Sequence, residues 1–407
     1  MANREAPAPG DTQPSNGNAT LIGVVGEVDR VAGAENAYWL ISTGLRERLG
    51  FDLVQVCQLP PSNPLADDRE LHVLRPDGRR GLLGLQQLFG LRRVLLRSKR
   101  PAIVFSFQLN TNILAVLANA LLPSRLRLPV VVNDRANIRT MTTPTLERGL
   151  GWLLRVLVIR LLAPWAYRRA RFVVCNSKDN ADQVREFLGA GPSSVVAIPN
   201  PVRVDEIQSR FSERARSGFI KTGEPVIAGH GRLFHDKGWE MLIRVLARVH
   251  DEFPTARLRI LGDGILMPEL QALAEELGVR DRCDFEGFSD DPLARLDSAD
   301  VYVLASRSEG MPNSLLEAVA LGLPCVSTDC RTGPAEILGR DGEVGRLVAV
   351  DDANAMAAEI LDLLRDGEAR QALSRAARHR ALDFRVEKCV DAYADVLAEC
   401  LPGESEA

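Results

Sequence analysis

The sequence of 407 residues lacks features that would assign it to several common classes of protein. Its seven cysteines are odd in number, and no pair has the spacing of a metal site or a redox motif, which favours a reducing compartment. No uninterrupted run reaches the length of about 18–20 apolar residues that a membrane-spanning helix needs. The nearest candidate, residues 150–167, contains Arg155, Arg160 and Pro164.

The N-terminal segment, residues 1–18, also lacks an apolar core. It is rich in proline, alanine, asparagine and glycine, so we interpret it as a disordered tail and not as a signal peptide or a membrane anchor. The chain as a whole has the composition of a folded protein, since 46% of its residues are apolar and 26% are charged. A chain of this length is too long for a single ordinary hydrophobic core and fits two domains.

Charge is divided unevenly along the chain. Residues 1–220 contain 29 basic and 19 acidic side chains, whereas residues 221–407 contain 21 basic and 35 acidic ones. The imbalance is concentrated in residues 75–178, which contain 19 basic and 3 acidic side chains. The first half of the protein is therefore expected to face an anionic partner.

Short apolar strands alternate with helices along most of the chain. The alternation runs from residue 21 to residue 198 and begins again at residue 225, which predicts an α/β protein with two parallel sheets flanked by helices. Pro199-Asn200-Pro201 and a polar stretch over residues 209–222 separate the two series. The cleft between two such domains is an expected place for a ligand. The predicted units are an N-terminal domain over 19–205, a C-terminal domain over 206–385, and a C-terminal helix and tail over 386–407.

The stretch from Ser308 to Glu317 predicts a ligand site. An apolar strand over residues 300–305 precedes it, and apolar residues at helical spacing follow it. The helix would begin at the carboxyl end of the strand, where backbone N–H groups and the helix dipole suit a phosphate. Carboxylates do not bind phosphate, so Glu309 and Glu317 indicate hydroxyl groups beside it. The stretch therefore predicts a site for a sugar nucleotide.

A glycine-rich turn opens the C-terminal domain at residues 228–238. Gly231 lets the backbone approach a ligand closely, and Arg232 and Lys237 add two cations that suit a diphosphate. A dinucleotide-binding loop is a weak alternative, because the third glycine of that motif is missing. A purely structural turn is the other open alternative.

Three motifs carry a resemblance to a known family, glycosyltransferase family 4, the retaining enzymes of the GT-B fold. The resemblance covers residues 21–396 and is denser in the second half. It implies two Rossmann-like parallel-sheet domains that face each other across a cleft. The motifs are Gly231-Arg232-Leu233 with Lys237-Gly238, Glu309-Gly310-x-Pro with Glu317 eight residues on, and Ala320-x-Gly-x-Pro-Cys-Val.

The resemblance implies a role for each matching residue. Arg232 and Lys237 would bind the donor diphosphate and stabilise the leaving group, and Glu309 would bind hydroxyls of the donor sugar as the third catalytic residue. Glu317 would hold the ribose of the nucleotide. No metal is expected, because the two cations and a helix N-terminus replace it. The other donor-binding residues would be Gly33, Gly231, Gly262, Gly264, Phe288, Gly310, Met311, Pro312 and Asn313.

The N-terminal domain departs from the family pattern in two places. Ala32-Gly33-Ala34-Glu35 replaces the Gly-Gly-Ala-Glu of many members, and Gly33 keeps a backbone approach to phosphate possible. A short buried strand predicted at residues 129–132 leads into Asn133-Asp134-Arg135, which replaces a motif that contains histidine in many members. Asn133, Asp134 and Arg135 are therefore candidate contacts for the acceptor, with a plain ion pair between Asp134 and Arg135 as the alternative. No histidine matches the catalytic one of the family; His230 and His235 are expected to be structural.

The basic segment of the N-terminal domain also contains Trp152, Trp165 and long runs of leucine and valine. Such a surface suits docking on an anionic membrane, where each cation contributes about 1 kcal/mol. Two amphipathic core helices with solvated arginines are the alternative. No RNA-binding pattern or recognition helix supports nucleic acid as the partner. The cations are Arg92, Arg93, Arg97, Lys99, Arg100, Arg148, Arg155, Arg160, Arg168, Arg169 and Arg171.

As a whole, the sequence predicts a retaining glycosyltransferase without a cofactor. It would transfer a hexose or an N-acetylhexosamine from a nucleotide-linked donor, with UDP as the expected nucleotide. The acceptor would be a hydroxyl of a polyprenyl-diphosphate-linked sugar or a growing polysaccharide, at the cytoplasmic face of the membrane. Two alternatives are open: an enzyme that makes a small soluble glycoside, and a sugar-nucleotide-binding protein without turnover.

Overall fold

A computed structural model describes most of the chain. The described residues are 19–26, 33–59, 70–75, 84–135, 149–189, 195–211 and 224–401, and the side chains of residues 33–34 and 149–155 are not included. The segment predicted to be a disordered tail, residues 1–18, lies outside them. Most of the polar stretch predicted to separate the domains also lies outside them.

The first half of the described chain forms a parallel sheet of seven strands. The strand order is β3-β2-β1-β4-β5-β6-β7, and every neighbouring pair is parallel. Strands β1 and β4 are buried along their whole length, as expected when helices cover both faces of a sheet. The strands are β1 (Thr20–Val25), β2 (Asp52–Cys57), β3 (Glu70–Val73), β4 (Ala102–Phe107), β5 (Val130–Asp134), β6 (Phe172–Cys175) and β7 (Val195–Ala197).

The second half of the described chain forms a parallel sheet of six strands, in the order β10-β9-β8-β11-β12-β13. In both sheets the order reverses beside the first strand, at β1/β4 and at β8/β11, which is the arrangement that leaves a ligand crevice at the carboxyl ends of the strands. The strands are β8 (Val226–His230), β9 (Arg257–Leu261), β10 (Cys283–Gly287), β11 (Val301–Leu304), β12 (Cys325–Thr328) and β13 (Arg346–Val348).

Helices cover both faces of each sheet. The first domain carries α1 (Gly33–Leu49), α2 (Leu85–Arg97), α3 (Leu109–Ala120), α4 (Gly149–Tyr167) and α5 (Lys178–Leu188). The connection to the second domain contains α6 (Val204–Arg210). The second domain carries α7 (Trp239–His250), α8 (Met267–Glu276), α9 (Pro292–Leu296), α10 (Asn313–Leu321), α11 (Pro334–Leu338), α12 (Ala353–Arg365) and α13 (Gly367–Ala381).

The last helix, α14 (Val386–Ala398), returns to the first domain. Its apolar side packs on α1, and Tyr393 and Leu397 join the core cluster that contains Tyr38 and Phe105. The helix predicted at residues 386–407 is therefore part of the N-terminal domain in space. Helix α13 instead packs on α10 in the second domain.

The prediction of two Rossmann-like parallel-sheet domains facing each other is confirmed. The turn after β11 meets the first domain directly, because a Cβ atom added to Gly310 would lie 2.5 Å from the backbone oxygen of Arg135. One strand was predicted too short: β5 continues through Asn133 and Asp134, which were predicted to follow it in a loop. Helices α9 and α11 were missed, since five residues show too little periodicity.

No helix within the described residues combines the length and the apolar character that crossing a membrane requires.

Candidate functional site

The centre of the site is an ion pair between two turns of the second domain. Lys237 ends a 3₁₀ turn after β8, and Glu309 follows β11, the neighbouring strand. The Lys237 Nζ atom lies 2.6 Å from Glu309 Oε1, and their side chains are 20% and 9% exposed. Ser306 Oγ donates to the same carboxylate oxygen at 2.7 Å. The structure therefore brings together two residues that were predicted to be catalytic.

Arg232, the third predicted catalytic residue, lies on the loop that leads to Lys237. Its side chain is exposed, and its guanidinium carbon lies over the ring of Phe234, 5.2 Å from the ring centroid. Trp239 Nε1 donates to the Arg232 backbone oxygen at 3.0 Å, which fixes the loop against helix α7. The guanidinium is thus held by the protein on one side and is open to solvent at the cleft.

Four glycines pack the loops of the second domain backbone to backbone. Gly262 has a φ of +135°, and a Cβ atom there would lie 1.9 Å from the oxygen of Gly231. A Cβ atom on Gly264 would lie 2.4 Å from the oxygen of Leu233. Gly238 has a φ of +64° and touches Ala305 in the same way. Gly262 and Gly264 thus hold the loop after β9 against the loop after β8. The predicted contacts of Gly231, Gly262 and Gly264 with a nucleotide stay predictions.

Glu317 lies in α10, one turn after the N-terminal end of the helix. Its Oε2 atom lies 3.0 Å from His230 Nε2, at the end of β8. His230 also packs edge-on against the ring of Tyr302, with the centroids 6.0 Å apart. The expectation that His230 is a hydrogen-bonded structural histidine agrees with these contacts. The predicted ribose contact of Glu317 stays a prediction.

The N-terminal end of α10 is held by an asparagine from the other side of the cleft. Asn200 Nδ2 donates to the Met311 backbone oxygen at 3.1 Å and to Asn313 Oδ1 at 2.7 Å. Arg135 Nη1 in turn donates to Asn200 Oδ1. Pro312 precedes the helix as its N-cap instead of lying in the first turn. Asn200 was not predicted as a site residue. The available signal in the sequence was its position between Pro199 and Pro201, in the connection between the domains.

The three predicted acceptor residues are built into the first domain. Asn133 and Asp134 are 0% and 3% exposed. Asn133 Oδ1 accepts from Tyr393 Oη at 2.8 Å, and Asp134 Oδ2 accepts from Tyr167 Oη at 2.7 Å. Arg135 Nη2 donates to Tyr393 Oη at 2.5 Å, and its guanidinium lies over the ring of Phe107. All three side chains thus have structural partners, and their contact with an acceptor stays a prediction.

The two predicted donor residues that remain are Gly33 and Phe288. Helix α1 begins at Gly33, whose immediate surroundings are outside the described residues. Phe288 is exposed, directly after β10. His235 is also exposed, and its Nδ1 atom lies 3.6 Å from Glu240 Oε1.

A buried thiol lies close to the site but is not a nucleophile. Burial, and next the charge of Glu309, raise the pKa of Cys330 to about 12, so the thiol stays protonated at neutral pH. Within the described residues, no three His, Cys, Asp or Glu side chains form a group that could hold a metal ion.

Taken together, the site offers a helix N-terminus, two cations and two carboxylates at the carboxyl ends of parallel strands. The sequence that forms this site also matches two known protein families. Residues 32–201 match the family model "Glycosyl transferase 4-like domain", and residues 211–380 match the family model "Glycosyl transferases group 1". The fold is thus of the GT-B type, with one matched model on each parallel-sheet domain. The chain belongs to the family 4-like glycosyltransferases that these two models describe.

Two curated relatives are named for a diphospho-undecaprenol-linked sugar and for lipopolysaccharide core biosynthesis, respectively. The N-acetylgalactosamine-N,N'-diacetylbacillosaminyl-diphospho-undecaprenol 4-alpha-N-acetylgalactosaminyltransferase of Campylobacter jejuni is 30% identical over 61% of this chain and 66% of its own length. The lipopolysaccharide core biosynthesis glycosyltransferase LpsE of Rhizobium meliloti is 37% identical over 57% of this chain and 65% of its own length. The chain thus matches slightly less than two thirds of each relative.

Solved structures show the same fold over nearly the whole chain. HepE of Anabaena in complex with UDP superposes with a TM-score of 0.74 at 18% identity, covering 93% of this chain and 100% of its own. Sucrose-phosphate synthase of Thermosynechococcus elongatus has a TM-score of 0.74 at 16% identity, covering 93% of this chain and 98% of its own. At these identities the likeness concerns the fold alone.

Proposed function

We propose that the protein is a retaining glycosyltransferase that uses a UDP-linked sugar and glycosylates a lipid-linked or growing polysaccharide acceptor. The observation that carries this proposal is the Lys237–Glu309 pair at the N-terminal end of α10. A cation there suits the diphosphate of a donor, and a carboxylate suits the hydroxyls of its sugar. The complex of HepE with UDP supports the choice of nucleotide.

The chemistry that we propose follows from the charge that develops as the sugar leaves. Departure of the nucleoside diphosphate places additional negative charge on its terminal phosphate. Lys237, Arg232 and the backbone N–H groups at the start of α10 stabilise this charge. Glu309 holds the sugar by its hydroxyls at the same time. In this proposal no metal takes part, because the two side-chain cations neutralise the diphosphate.

The names of relatives support a lipid-linked acceptor. The name of the Campylobacter jejuni relative contains a diphospho-undecaprenol. A relative from Mycolicibacterium smegmatis is named as a phosphatidylinositol monomannoside mannosyltransferase. It is 32% identical over 59% of this chain and 61% of its own length. Another relative, from Streptomyces kanamyceticus, is a 2-deoxystreptamine glucosyltransferase that is 27% identical over 60% of this chain. A soluble acceptor is therefore the second candidate.

An exposed apolar and basic face of the first domain favours the lipid-linked acceptor. Leu85, Phe89 and Leu96 of α2 are exposed and share one side of the helix, because they are spaced by four and seven residues. Leu157 and Leu161 are exposed on α4. Both helices pack on α3, so these five side chains belong to one surface, which we call the docking face. We propose that it lies on the cytoplasmic surface of an anionic membrane.

The side chains around the docking face fit this orientation. Exposed cations lie on or next to both helices: Arg93 and Arg97 in α2, Lys99 just after it, Arg160 in α4 and Arg168 just after it. Trp165, by contrast, packs partly against the core, and Arg169 covers its ring at 4.4 Å. Large apolar side chains rimmed by cations are typical of proteins that lie on a membrane surface.

A test of the donor site compares two lysines that make similar ion pairs. Lys237→Met is expected to lower the rate of UDP release from UDP-sugars at least 100-fold, since about 3 kcal/mol of charge stabilisation is lost. The control is Lys388→Met, because Lys388 Nζ lies 2.6 Å from Asp383 Oδ1 on the exposed C-terminal side. The assay screens UDP- and GDP-sugars with membrane-lipid extract as the source of acceptor. Wild-type rates in Lys237→Met would exclude the proposed catalytic role.

The docking face is tested by flotation with vesicles. Leu85→Ser/Phe89→Ser is expected to reduce binding to vesicles that contain phosphatidylglycerol, and 0.5 M salt is expected to reduce binding of the wild type. Ile265→Ser is the matched control, since Ile265 is equally exposed but lies in the second domain. A wild-type protein that ignores vesicles and transfers sugar to water-soluble acceptors would instead support the second candidate.

A further inference from the structure

Two of the three side chains predicted to contact an acceptor are buried inside the first domain, out of reach of a ligand. Asn133 and Asp134 are buried and hydrogen-bonded to tyrosines, and the guanidinium of Arg135 is shared between Asn200 and Tyr393. A hydroxyl that attacks the donor sugar must be held at the carboxyl edge of this sheet, because that edge faces the donor turn. Half-buried polar side chains also lie at that edge.

Gln108 stands out because of its backbone. It directly follows β4 and has a φ of +76° and a ψ of 146°. Within the described residues, Gln108 and Asp351 are the two non-glycine residues with a positive φ. A side chain at such a φ is strained, and glutamine, unlike asparagine or glycine, has no local reason to adopt it. The side chain does not cap helix α3, which begins at the next residue.

The amide of Gln108 has a specific partner. Its Nε2 atom donates to Glu35 Oε1 at 2.7 Å, and both side chains are half-buried. Glu35 lies in the first turn of α1. The Oε1 atom of Gln108 lies close to Gly26, where an added Cβ atom would approach it to 2.9 Å. Glycine at the end of β1 thus leaves room for the Gln108 side chain.

The pair occupies the position in the sheet where ligands bind. Strands β1 and β4 are neighbours, and the helices that follow them cover opposite faces. Tyr38 and Ile41 of α1 belong to the core on one face, whereas Ile113 and Leu114 of α3 belong to the core on the other. Helices α1 and α3 therefore lie on opposite faces of the sheet beyond Gly26 and Gln108, and the space between them is the crevice of an open α/β sheet.

The same edge meets the donor turn. The Gln108 backbone N–H donates to the Asn133 oxygen at 3.2 Å. Two residues further along the chain, just after β5, the oxygen of Arg135 packs against Gly310, next to Glu309. Gln108 and Glu35 therefore lie on the part of the first domain that adjoins the site of the donor sugar.

We propose that Gln108 and Glu35 form the acceptor site, in which they bind and orient hydroxyl groups of the sugar that receives the transferred residue. This inference rests on the proposed function. The ligand class is a carbohydrate, since a carboxylate and an amide oxygen accept hydrogen bonds from neighbouring hydroxyls while the amide nitrogen donates one. The strained backbone of Gln108 serves to aim its amide into the crevice. The pair acts by binding and positioning and forms no bond with the substrate.

The test uses the full-length chain and separates acceptor use from donor use. Gln108→Gly removes the amide and relieves the strain, so the melting temperature is expected to stay the same or rise. Glu35→Gln removes the charge at constant size. For both variants the KM for the acceptor, supplied as membrane-lipid extract, is expected to rise at least 10-fold. Donor hydrolysis, in which water replaces the acceptor, and the KM for the UDP-sugar are expected to stay within twofold of wild type.

Asp351→Gly is the matched control. It relieves the same kind of strain, a φ of +62°, on the second domain, and it is expected to leave the KM for the acceptor unchanged. Rescue of the acceptor KM by Gln108→Asn, which retains the amide and tolerates a positive φ, would support a binding role over a structural one.

Two results would overturn the assignment. The first is a wild-type acceptor KM in both variants. The second is an equal loss of donor hydrolysis and acceptor transfer, which would place the pair in the donor site or in the fold. If the wild type neither transfers nor hydrolyses any nucleotide sugar, the proposed function fails on its own. Saturation-transfer NMR with methyl glycosides then decides about the pair. Signals in the wild type that both variants lose support it, and equal signals, or none, overturn it.

Discussion

At the scale of single residues, the ion pair of Lys237 and Glu309 has two consequences for a ligand. It gives the largely buried carboxylate of Glu309 a cationic partner, and it holds the Lys237 ammonium group close to the N-terminal end of α10. A diphosphate that binds there competes with Glu309 for the ammonium group. The released carboxylate oxygen, still bound by Ser306, can then accept a hydrogen bond from a sugar hydroxyl.

Gly262 gives a prediction about stability at the same scale. Gly262→Ala places a Cβ atom 1.9 Å from the Gly231 oxygen at a φ of +135°, so the free energy of unfolding is expected to fall by about 3 kcal/mol or more. Gly278→Ala is the control, because its φ of +70° is also positive but nothing lies within 4 Å of the added atom. Its expected cost is about 1 kcal/mol. Urea unfolding measures both, and equal costs would show that the contact between the loops is unimportant.

Residues that belong to local motifs could be predicted as site residues from the sequence. Lys237 and Glu309 were predicted as site residues, and the structure brings them together. Arg135 could not be interpreted in the same way, since its partners Asn200 and Tyr393 lie 65 and 258 residues away. The strain at Gln108 was also invisible, because glutamine after a strand carries no signal of a positive φ.

At the scale of elements, Asn200 couples the interdomain connection to the start of α10. Asn200→Asp retains an oxygen for Arg135 but turns a carboxylate oxygen toward the Met311 oxygen and Asn313 Oδ1. The affinity for UDP is therefore expected to fall about 10-fold, more than for Asn200→Ala, because lone pairs then face each other in a buried place. Isothermal titration with UDP measures the change.

The control for Asn200 is a surface asparagine. Asn354 Oδ1 accepts from Arg248 Nε at 2.7 Å in an exposed contact, and Asn354→Asp is expected to leave UDP affinity unchanged. Should Asn200→Asp bind UDP as the wild type does, the start of α10 does not depend on this hydrogen bond.

Elements with strong periodicity were predictable, and their ends were less so. The alternation of strands and helices predicted both sheets, because fully buried parallel strands read as short apolar runs. Strand β5 was predicted to end before Asn133, since polar residues usually leave a sheet. Its polar end is buried because Tyr393 and Tyr167, from two different helices, supply hydrogen bonds there.

At the scale of the whole molecule, two contacts close the cleft on the side of α5. The Lys178 backbone N–H donates to Glu336 Oε2 at 2.6 Å, and Arg331 Nη2 lies 3.7 Å from Glu186 Oε2. Both join the first domain to the second. We call these two contacts the clasp. Movements of domains about a connecting segment are common in two-domain proteins, so the clasp is expected to influence how often the cleft opens.

The clasp predicts a dependence on pH. Burial raises the pKa of Glu336 above its ordinary value, so the closed arrangement favours the protonated carboxyl more than an open arrangement does. Closure therefore gains stability as pH falls toward the ordinary pKa of glutamate and loses it as pH rises through the raised value. The radius of gyration from X-ray scattering is expected to increase with pH in this range.

Glu336→Gln is the control for this titration, because it keeps the acceptor for the Lys178 N–H and cannot ionise. Its radius of gyration is expected to stay constant over the same range. An identical pH dependence in the wild type and in Glu336→Gln would assign the effect to another group.

The return of α14 to the first domain also determines the order in which this protein can be completed during synthesis. Val390, Tyr393 and Leu397 fill a core whose other walls are α1 and β4, far earlier in the chain. Domains usually fold as units while the ribosome is still extending the chain. Here the first domain to be made keeps one side of its core uncovered until the second domain has been translated. Folding of the two domains is thereby linked, and the N-terminal domain becomes complete after the C-terminal domain.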